Sequence, residues 1–157
     1  MNLKQVIKSG KRIVICGIGN EIRGDDGFGV LLVKELKKLI KRENVLILNC
    51  GQAPESFFGK IIKFKPDLVI FVDAIHFGGN PGEIVVVTPE SVIGEAFSTH
   101  GMPLKLMAKH IERDVDAEII LIGCQPKNIG LFEEISPEVK EALEKLLSII
   151  ADALNDP

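Results

Sequence analysis

A glycine-rich segment near the N-terminus reads Gly17-Ile18-Gly19-Asn20-Glu21-Ile22-Arg23-Gly24-Asp25-Asp26-Gly27-Phe28-Gly29. It follows the apolar run 13–16 and precedes an amphipathic run at 31–40. This order predicts a strand, a tight turn and a helix whose N-terminus lies at the carboxyl end of the strand. Such turns often bind phosphate, but Asp25 and Asp26 are anionic and suit a cation better. The segment therefore indicates one wall of a cation site.

Length and composition indicate an ordered protein, and we expect a single domain over residues 1–157. Apolar residues make up 46% of the chain, which argues against disorder. The net charge of −3 gives no electrostatic reason to expect nucleic acid or an anionic membrane as a partner. The apolar runs are at most about seven residues long, too short to span a bilayer. Since residues 1–11 lack a signal-like apolar region, we expect a cytoplasmic protein.

The chain has three cysteines, Cys16, Cys50 and Cys124, and each lies near the end of an apolar run. The count is odd and no Cys-x-x-Cys pair is present, so we expect no disulfide framework. The favoured interpretation is three small buried apolar side chains. Roles as metal ligands or nucleophiles remain the alternative.

Apolar runs of strand length alternate with amphipathic segments of helical spacing. The predicted strands are 12–17, 45–49, 68–72, 83–87 and 118–123. The predicted helices are 31–40, 56–64, one that begins at Pro103 and one that begins at Ser136, and residues 89–99 are expected to be irregular with one helical turn. About nine residues join the third and fourth strands, fewer than a parallel crossover needs. We therefore expect an α/β three-layer sandwich, with helices on both faces of a mostly parallel five-stranded sheet and one antiparallel edge strand.

Several polar residues follow the carboxyl ends of the predicted parallel strands and should share one rim of the sheet. They are Asp25 and Asp26 after the first strand, Gln52 after the second, Asp73 after the third and Gln125 after the fifth. Helix capping is the alternative role for the adjacent aspartates, and an Asx turn is the alternative for Asp73. The rim therefore combines carboxylates that a cation or a reacting group could use.

Three histidines are available as a further ligand. His100 lies in a loop just before a helix, His76 stands three residues after Asp73, and His110 falls off the apolar stripe of its helix, where we expect it to be solvated. Two carboxylates and one imidazole suit a metal such as Zn²⁺ or Ni²⁺ and leave open coordination positions. From the residues alone, His100 and His76 remain rivals for that role.

Other common sites are poorly supported by the sequence. His-Glu-x-x-His and Gly-x-Ser-x-Gly are absent, which argues against a helical zinc protease and a serine triad of that type. The spacing Gly17-x-Gly19 continues to Gly24, so the dinucleotide fingerprint is not met, and no Walker loop is present. A nucleotide-binding α/β domain is therefore a disfavoured hypothesis.

At this point the chain resembles a known family, the maturation endopeptidases of [NiFe]-hydrogenase large subunits, of the hydrogenase-3 (formate hydrogenlyase) type. The matching motifs are Gly17-Ile-Gly19-Asn20 with Gly24-Asp25-Asp26-Gly27-x-Gly29, Gly51-x-Ala53-Pro54-Glu55, Val72-Asp73-Ala74, Asn80-Pro81-Gly82-Glu83-Ile84, Thr99-His100-x-Met102-Pro103-Leu104 and Gly123-x-Gln125-Pro126. They occur in the family's order through about residues 13–145. Each motif is weak alone, and together they are specific.

The resemblance implies a twisted five-stranded sheet between helices and an endopeptidase of metal-dependent aspartic or metallo type. The implied partner is a hydrogenase large-subunit precursor, which loses a C-terminal extension after nickel insertion and itself supplies the nickel. Cleavage in the family follows a basic residue beyond the last Cys-x-x-Cys of that precursor. The family's metal-contacting residues match Asp26, Asp73 and His100, which would be both metal ligands and catalytic residues, whereas His76 matches none.

Either Asp26 or Asp73 could serve as the general base of the proposed hydrolysis. We expect the protein to act as a monomer. The glycines of segment 17–29 should let the backbone turn tightly and admit a peptide chain close to Asp26. A non-catalytic chaperone that checks the precursor for nickel is the alternative function.

Overall fold

The computed structural model describes residues 2–91 and 98–155. Its main element is a five-stranded sheet in the order β2-β1-β3-β7-β4. The first four of these strands are parallel and β4 pairs antiparallel with β7 at the edge. The sheet strands are β1 (Ile13–Ile18), β2 (Val45–Gly51), β3 (Leu68–Ala74), β4 (Ile84–Val87) and β7 (Glu118–Cys124). A separate short hairpin is formed by β5 (Ser98–Thr99) and β6 (Met102–Pro103).

Helices cover both faces of the sheet, and the predicted three-layer arrangement with one antiparallel edge strand is confirmed. One apolar core lies under the first, second and fifth helices, and the other lies under the third and fourth. The helices are α1 (Leu3–Ser9), α2 (Phe28–Leu39), α3 (Phe58–Phe64), α4 (Leu104–Glu112) and α5 (Pro137–Asn155). In the part of the chain that the structure describes, none of the helices has the length and apolar character needed to cross a bilayer.

The side chains of strand β3 are buried on both faces of the sheet. Successive side chains of a strand point to opposite faces. Leu68, Ile70 and Val72 accordingly belong to the core on the α2 side, whereas Val69 and Phe71 belong to the core on the α4 side. This burial on both faces explains why the run is continuously apolar.

The N-terminal helix is a departure from the sequence analysis, which assigned no element to residues 1–11. Helix α1 begins after Asn2, whose side chain accepts a hydrogen bond from the Gln5 N–H, and it buries Ile7 against α5. Within the irregular segment predicted at 89–99, the structure shows a 3₁₀ turn at Pro89–Ser91, and residues 92–97 lie outside the described part.

The cysteines correct another expectation. Cys16 of β1 and Cys50 of β2 form a disulfide with a Cα–Cα distance of 6.1 Å, whereas the sequence favoured three separate buried thiols. Neighbouring parallel strands bring the two side chains together, an arrangement that Cys spacing along the chain does not reveal. Cys124 remains a buried free thiol, and burial raises its pKa to about 12. It is therefore protonated and unreactive near neutral pH.

Candidate active site

Asp73 is a buried carboxylate at the carboxyl end of β3. The alternation of the strand places it on the same face as Phe71, toward α4, with only 1% of its surface exposed. Burial raises its pKa to about 7, against the opposing effect of a hydrogen bond with His100. Its Oδ1 atom has no hydrogen-bond partner among the described residues. An unpartnered buried oxygen of this kind is suited to a ligand that arrives from outside the protein.

Asp26 lies in a 3₁₀ turn, Gly24–Gly27, between β1 and α2. The N-cap position of α2 is Gly27, and no side chain of the described residues makes a capping hydrogen bond there, so neither Asp25 nor Asp26 caps α2. About a quarter of the Asp26 side chain is exposed, at 23%. It is therefore the more accessible of the two site carboxylates.

Two glycines of this segment have a different role from the predicted one. A Cβ at Gly29 would lie 2.1 Å from the Val72 carbonyl oxygen, and a Cβ at Gly19 would lie 2.1 Å from the Asp26 carbonyl oxygen. Gly19 also has a φ of 151°. The positive φ of Gly19 fits the predicted tight turn, whereas Gly29 lies within α2. However, the space next to them is filled by the protein's own backbone, so they do not leave room for a peptide chain.

His100 lies at the tip of the β5–β6 hairpin. The two residues between the paired strands, His100 and Gly101, have φ values of 49° and 83°. Positive φ at both central positions is what a two-residue type I′ turn requires. The hairpin therefore fixes the position of a residue that the sequence analysis placed only in a loop of unknown position, and the His-Gly dipeptide is the sequence signal for it.

These three side chains meet at one point. Nδ1 of His100 lies 3.0 Å from Oδ2 of Asp73, and Nε2 lies 3.3 Å from Oδ2 of Asp26. One potential ligand atom from each residue lies within 4.8 Å of the others. The hydrogen bonds with Asp26 and then with Asp73 raise the pKa of His100 to about 10. Near neutral pH the imidazole is therefore protonated, with each ring nitrogen donating to one carboxylate.

This arrangement is one that a metal ion can enter in place of a proton. Two carboxylates and an imidazole form a donor set for a transition metal, and loss of the His100 proton frees a ring nitrogen for ligation. His100 is mostly buried, with 16% of its side chain exposed. The site is therefore accessible to solvent at Asp26 and buried at Asp73.

The other histidines lie elsewhere. His76 is exposed and does not belong to this group. His110 is exposed on α4, as expected, where its ring lies 5.8 Å from the ring of Phe58. The structure thus separates His76 from the cluster, a distinction that the spacing Asp73-x-x-His76 left open.

Gln125 and Gln52, the polar rim residues predicted beside the carboxylates, behave differently from each other. Gln125 is buried, and its Oε1 accepts hydrogen bonds from the N–H groups of Phe77 and Gly79 at 2.8 and 3.2 Å. It thereby holds the loop that follows Asp73. Gln52 is exposed.

Asp25 has a role that the sequence analysis missed. It is fully buried and accepts hydrogen bonds from the N–H groups of Lys127, Asn128 and Ser136 and from the Ser136 hydroxyl, at 2.7–2.9 Å. Adjacent residues of a tight turn point in different directions, so Asp25 holds the 127–136 loop while Asp26 reaches His100. Nothing in the local sequence distinguishes these two aspartates.

The chain matches a family of known proteins over most of its length. Residues 30–153 match the family model of HycI, described as hydrogenase maturation protease. The hydrogenase 3 maturation protease of Escherichia coli K12 is 34% identical over 134 residues, which cover 84% of this chain and 83% of that protein.

Solved structures give the same result. The crystal structure of the [NiFe] hydrogenase maturation protease HycI from Thermococcus kodakarensis KOD1 superposes with a TM-score of 0.91 and 55% identity, over 98% of this chain and 99% of that one. The solution structure of the endopeptidase HycI from Escherichia coli superposes with a TM-score of 0.76 and 27% identity, over 90% of each chain. The resemblance of the sequence motifs is confirmed, and the chain belongs to the hydrogenase maturation protease family, whose members are endopeptidases.

Proposed function

We propose that this endopeptidase removes the C-terminal extension of a nickel-loaded [NiFe]-hydrogenase large-subunit precursor and recognises the nickel with Asp26, Asp73 and His100. The observation that carries the proposal is the convergence of these three side chains, with potential ligand atoms within 4.8 Å of one another. They come from three separate segments of the chain. In this proposal the nickel is part of the substrate.

The chemistry of the site fits a metal that arrives with its substrate. Three protein ligands leave room for ligands from the precursor, and the unpartnered Oδ1 of Asp73 supplies a buried acceptor. In the free protein, the His100 proton occupies the space between the carboxylates, and it must leave before the ring can bind a metal. The free site is therefore a weak metal binder, and the precursor's own nickel ligands contribute the remaining affinity.

Hydrolysis of the scissile peptide bond can then be assigned to residues by their exposure. Asp26 is the carboxylate that water reaches, and Asp73 is nearly sealed. Asp26 accepts a proton as the water oxygen bonds to the carbonyl carbon, and the same proton passes to the leaving nitrogen as the C–N bond breaks. Asp73 holds His100 in place, and with Asp26 these residues would hold the nickel, which would polarise the carbonyl oxygen. The enzyme is thus of metal-dependent type, with an aspartate as general base.

We propose that the enzyme acts as a monomer in the cytoplasm, with the large-subunit precursor as its partner and without nucleic acid or a membrane. Its net charge of −3 is consistent with this, because neither polyanion would be attracted to it.

Site variants incubated with nickel-loaded precursor test the residue assignments. Asp26→Asn, Asp73→Asn and His100→Ala should each lower the cleavage rate at least 100-fold, read as the mass of the large subunit over time. His76→Ala is the matched control, since His76 is an exposed histidine near the same strand end, and it should process the precursor at the wild-type rate. Full processing by all three site variants would refute the assignment.

A further inference from the structure

Exposed apolar side chains are concentrated beside the candidate active site. Among residues 2–91 and 98–155, eight large apolar side chains are exposed, and four of them lie on two segments that touch each other. These four are Ile22, Ile129, Leu131 and Phe132, and we refer to them as the apolar ridge. The Phe132 side chain is the most exposed of the eight, at 78%. Apolar surface concentrated in this way is typical of a binding surface.

Hydrogen bonds join the two segments of the ridge. The Phe132 N–H donates to the Ile22 carbonyl oxygen at 2.5 Å, and the Arg23 guanidinium donates to the Ile129 carbonyl oxygen at 3.5 Å. Phe132 has a φ of 63°, a backbone conformation that costs an aromatic residue free energy. The chain thus keeps a strained backbone at a residue whose ring is presented to solvent, which gives no stability to the isolated protein.

The ridge is also fixed relative to the active site. Ile22 belongs to the same turn as Asp26, and the Asp26 N–H donates to the Arg23 carbonyl oxygen. On the other side, the buried Asp25 carboxylate binds the N–H groups of Lys127 and Asn128, at the start of the ridge's second segment. The turn that carries the Asp26 carboxylate is therefore joined by hydrogen bonds to both segments of the ridge.

We propose that the apolar ridge is the surface on which the folded body of the hydrogenase large-subunit precursor docks. This inference rests on the proposed function and names a contact beyond the nickel and the scissile peptide. The precursor is the occupant because its chain must reach Asp26, and Ile22 stands four residues before Asp26 in the same connection between β1 and α2. Apolar and aromatic side chains usually form the core of a protein interface, and polar residues form its rim. Here the ion pair between Glu21 and Lys34 supplies part of the rim.

Calorimetric titration with nickel-free precursor measures docking without cleavage. The ridge variant carries Leu131→Ser and Phe132→Ser, both at exposed positions whose replacement should leave the fold intact, as thermal unfolding will verify. The control variant carries Leu39→Ser and Leu106→Ser, which lie on α2 and α4 and are 54% and 44% exposed. We expect Kd to rise at least tenfold for the ridge variant and to change less than twofold for the control.

The calorimetric and cleavage results together test the docking surface and the proposed function separately. Equal Kd values for the wild type and the ridge variant, or no measurable binding by the wild type, would overturn the docking surface. A wild-type dimer that the ridge variant converts to a monomer, seen by light scattering, would also overturn it, because the ridge would then bind a second copy. Cleavage of nickel-loaded precursor is scored separately, so wild-type cleavage with unchanged Kd refutes the ridge and leaves the proposed function intact. Weakened Kd without any wild-type cleavage refutes the proposed function and supports the ridge.

Discussion

Nε2 of His100 lies 3.3 Å from Oδ2 of Asp26, although 74 residues separate them in the chain. The contact joins a hairpin tip that precedes α4 to the turn that follows β1. It exists because the parallel strands end on one rim and because the hairpin folds back over that rim. Since the His100 proton lies between two carboxylates, the titration of this residue should control metal binding.

Metal affinity of the free protein should increase with pH. The pKa of His100 is about 10, so a metal competes with a bound proton throughout the neutral range. Between the Asp73 pKa of about 7 and the His100 pKa of about 10, each unit of pH should raise the affinity for Ni²⁺ about tenfold. Titration calorimetry between pH 8 and 9, in buffers of different ionisation enthalpy, should show release of about one proton per metal. In His100→Ala, any residual binding should lose this proton release; its persistence would contradict the role given to His100.

The free energy of unfolding should depend on pH in mildly acidic solution because Asp73 titrates there. The folded-state pKa is raised from 3.8 to about 7, so the folded state binds more protons than the unfolded state between these values. The contribution of Asp73 to the free energy of unfolding therefore falls as pH rises through this window, by an amount on the order of a few kcal/mol. The corresponding window for His100 runs from 6.5 to about 10, with the same sign.

Asp73→Asn isolates this contribution. Urea unfolding of the wild type and the variant from pH 4 to pH 5.5 should show the variant gaining stability relative to the wild type as pH rises. In this range His100 is protonated in both states of the wild type, so it adds little to the slope. A difference that stays constant with pH would mean that Asp73 titrates normally.

The close approach of α2 to the sheet should depend on Gly29. A methyl group there would lie 2.1 Å from the Val72 carbonyl oxygen and 2.5 Å from that of Ile18, so the helix would have to move. We expect Gly29→Ala to lower the free energy of unfolding by about 2 kcal/mol or more. The matched control is Gly59→Ala on α3, where no atom of residues 2–91 or 98–155 lies within 4 Å of the added carbon. That substitution should be neutral or stabilise by about 0.5–1 kcal/mol. Equal effects in denaturant unfolding would contradict the packing argument.

The disulfide should contribute to stability, since it links positions 34 residues apart in sequence. By loop entropy, closing a loop of this size contributes about 3–4 kcal/mol, and native bonds often contribute less. The double variant Cys16→Ala, Cys50→Ala should therefore unfold at lower denaturant concentration, and a reductant should lower the stability of the wild type and leave the variant unchanged. Alkylation without reductant should modify neither Cys16 nor Cys50 in the unfolded wild type. Labelling of both would show that the bond does not form.

Much of the fold was predictable because the strands alternate with amphipathic helices and the third strand is apolar on both faces. The antiparallel edge position of β4 followed from the short connection before it. Helix α1 was missed because its short sequence is largely polar, and only Ile7 is buried. The Cys16–Cys50 bond was missed because it depends on which strands are neighbours, and the sequence analysis did not derive the strand order.

The candidate site was predictable in part. Strand periodicity and strand ends place Asp26 and Asp73 on one rim, so their proximity follows from the fold class. The position of His100 depends on the His100-Gly101 turn, and the difference between Asp25 and Asp26 depends on the direction that each side chain takes in a 3₁₀ turn. The His-Gly dipeptide indicates the turn itself, but residue type and spacing specify neither where the hairpin packs nor which way each aspartate side chain points.

Recognition of nickel held by the substrate is tested most directly by comparing two samples of one precursor. The wild-type enzyme is incubated with nickel-loaded and nickel-free large-subunit precursor, and the intact mass of each is followed over time. We expect the loaded sample alone to lose its C-terminal peptide. Cleavage of both samples at the same rate would contradict the claim, because Asp26, Asp73 and His100 would then act without the metal.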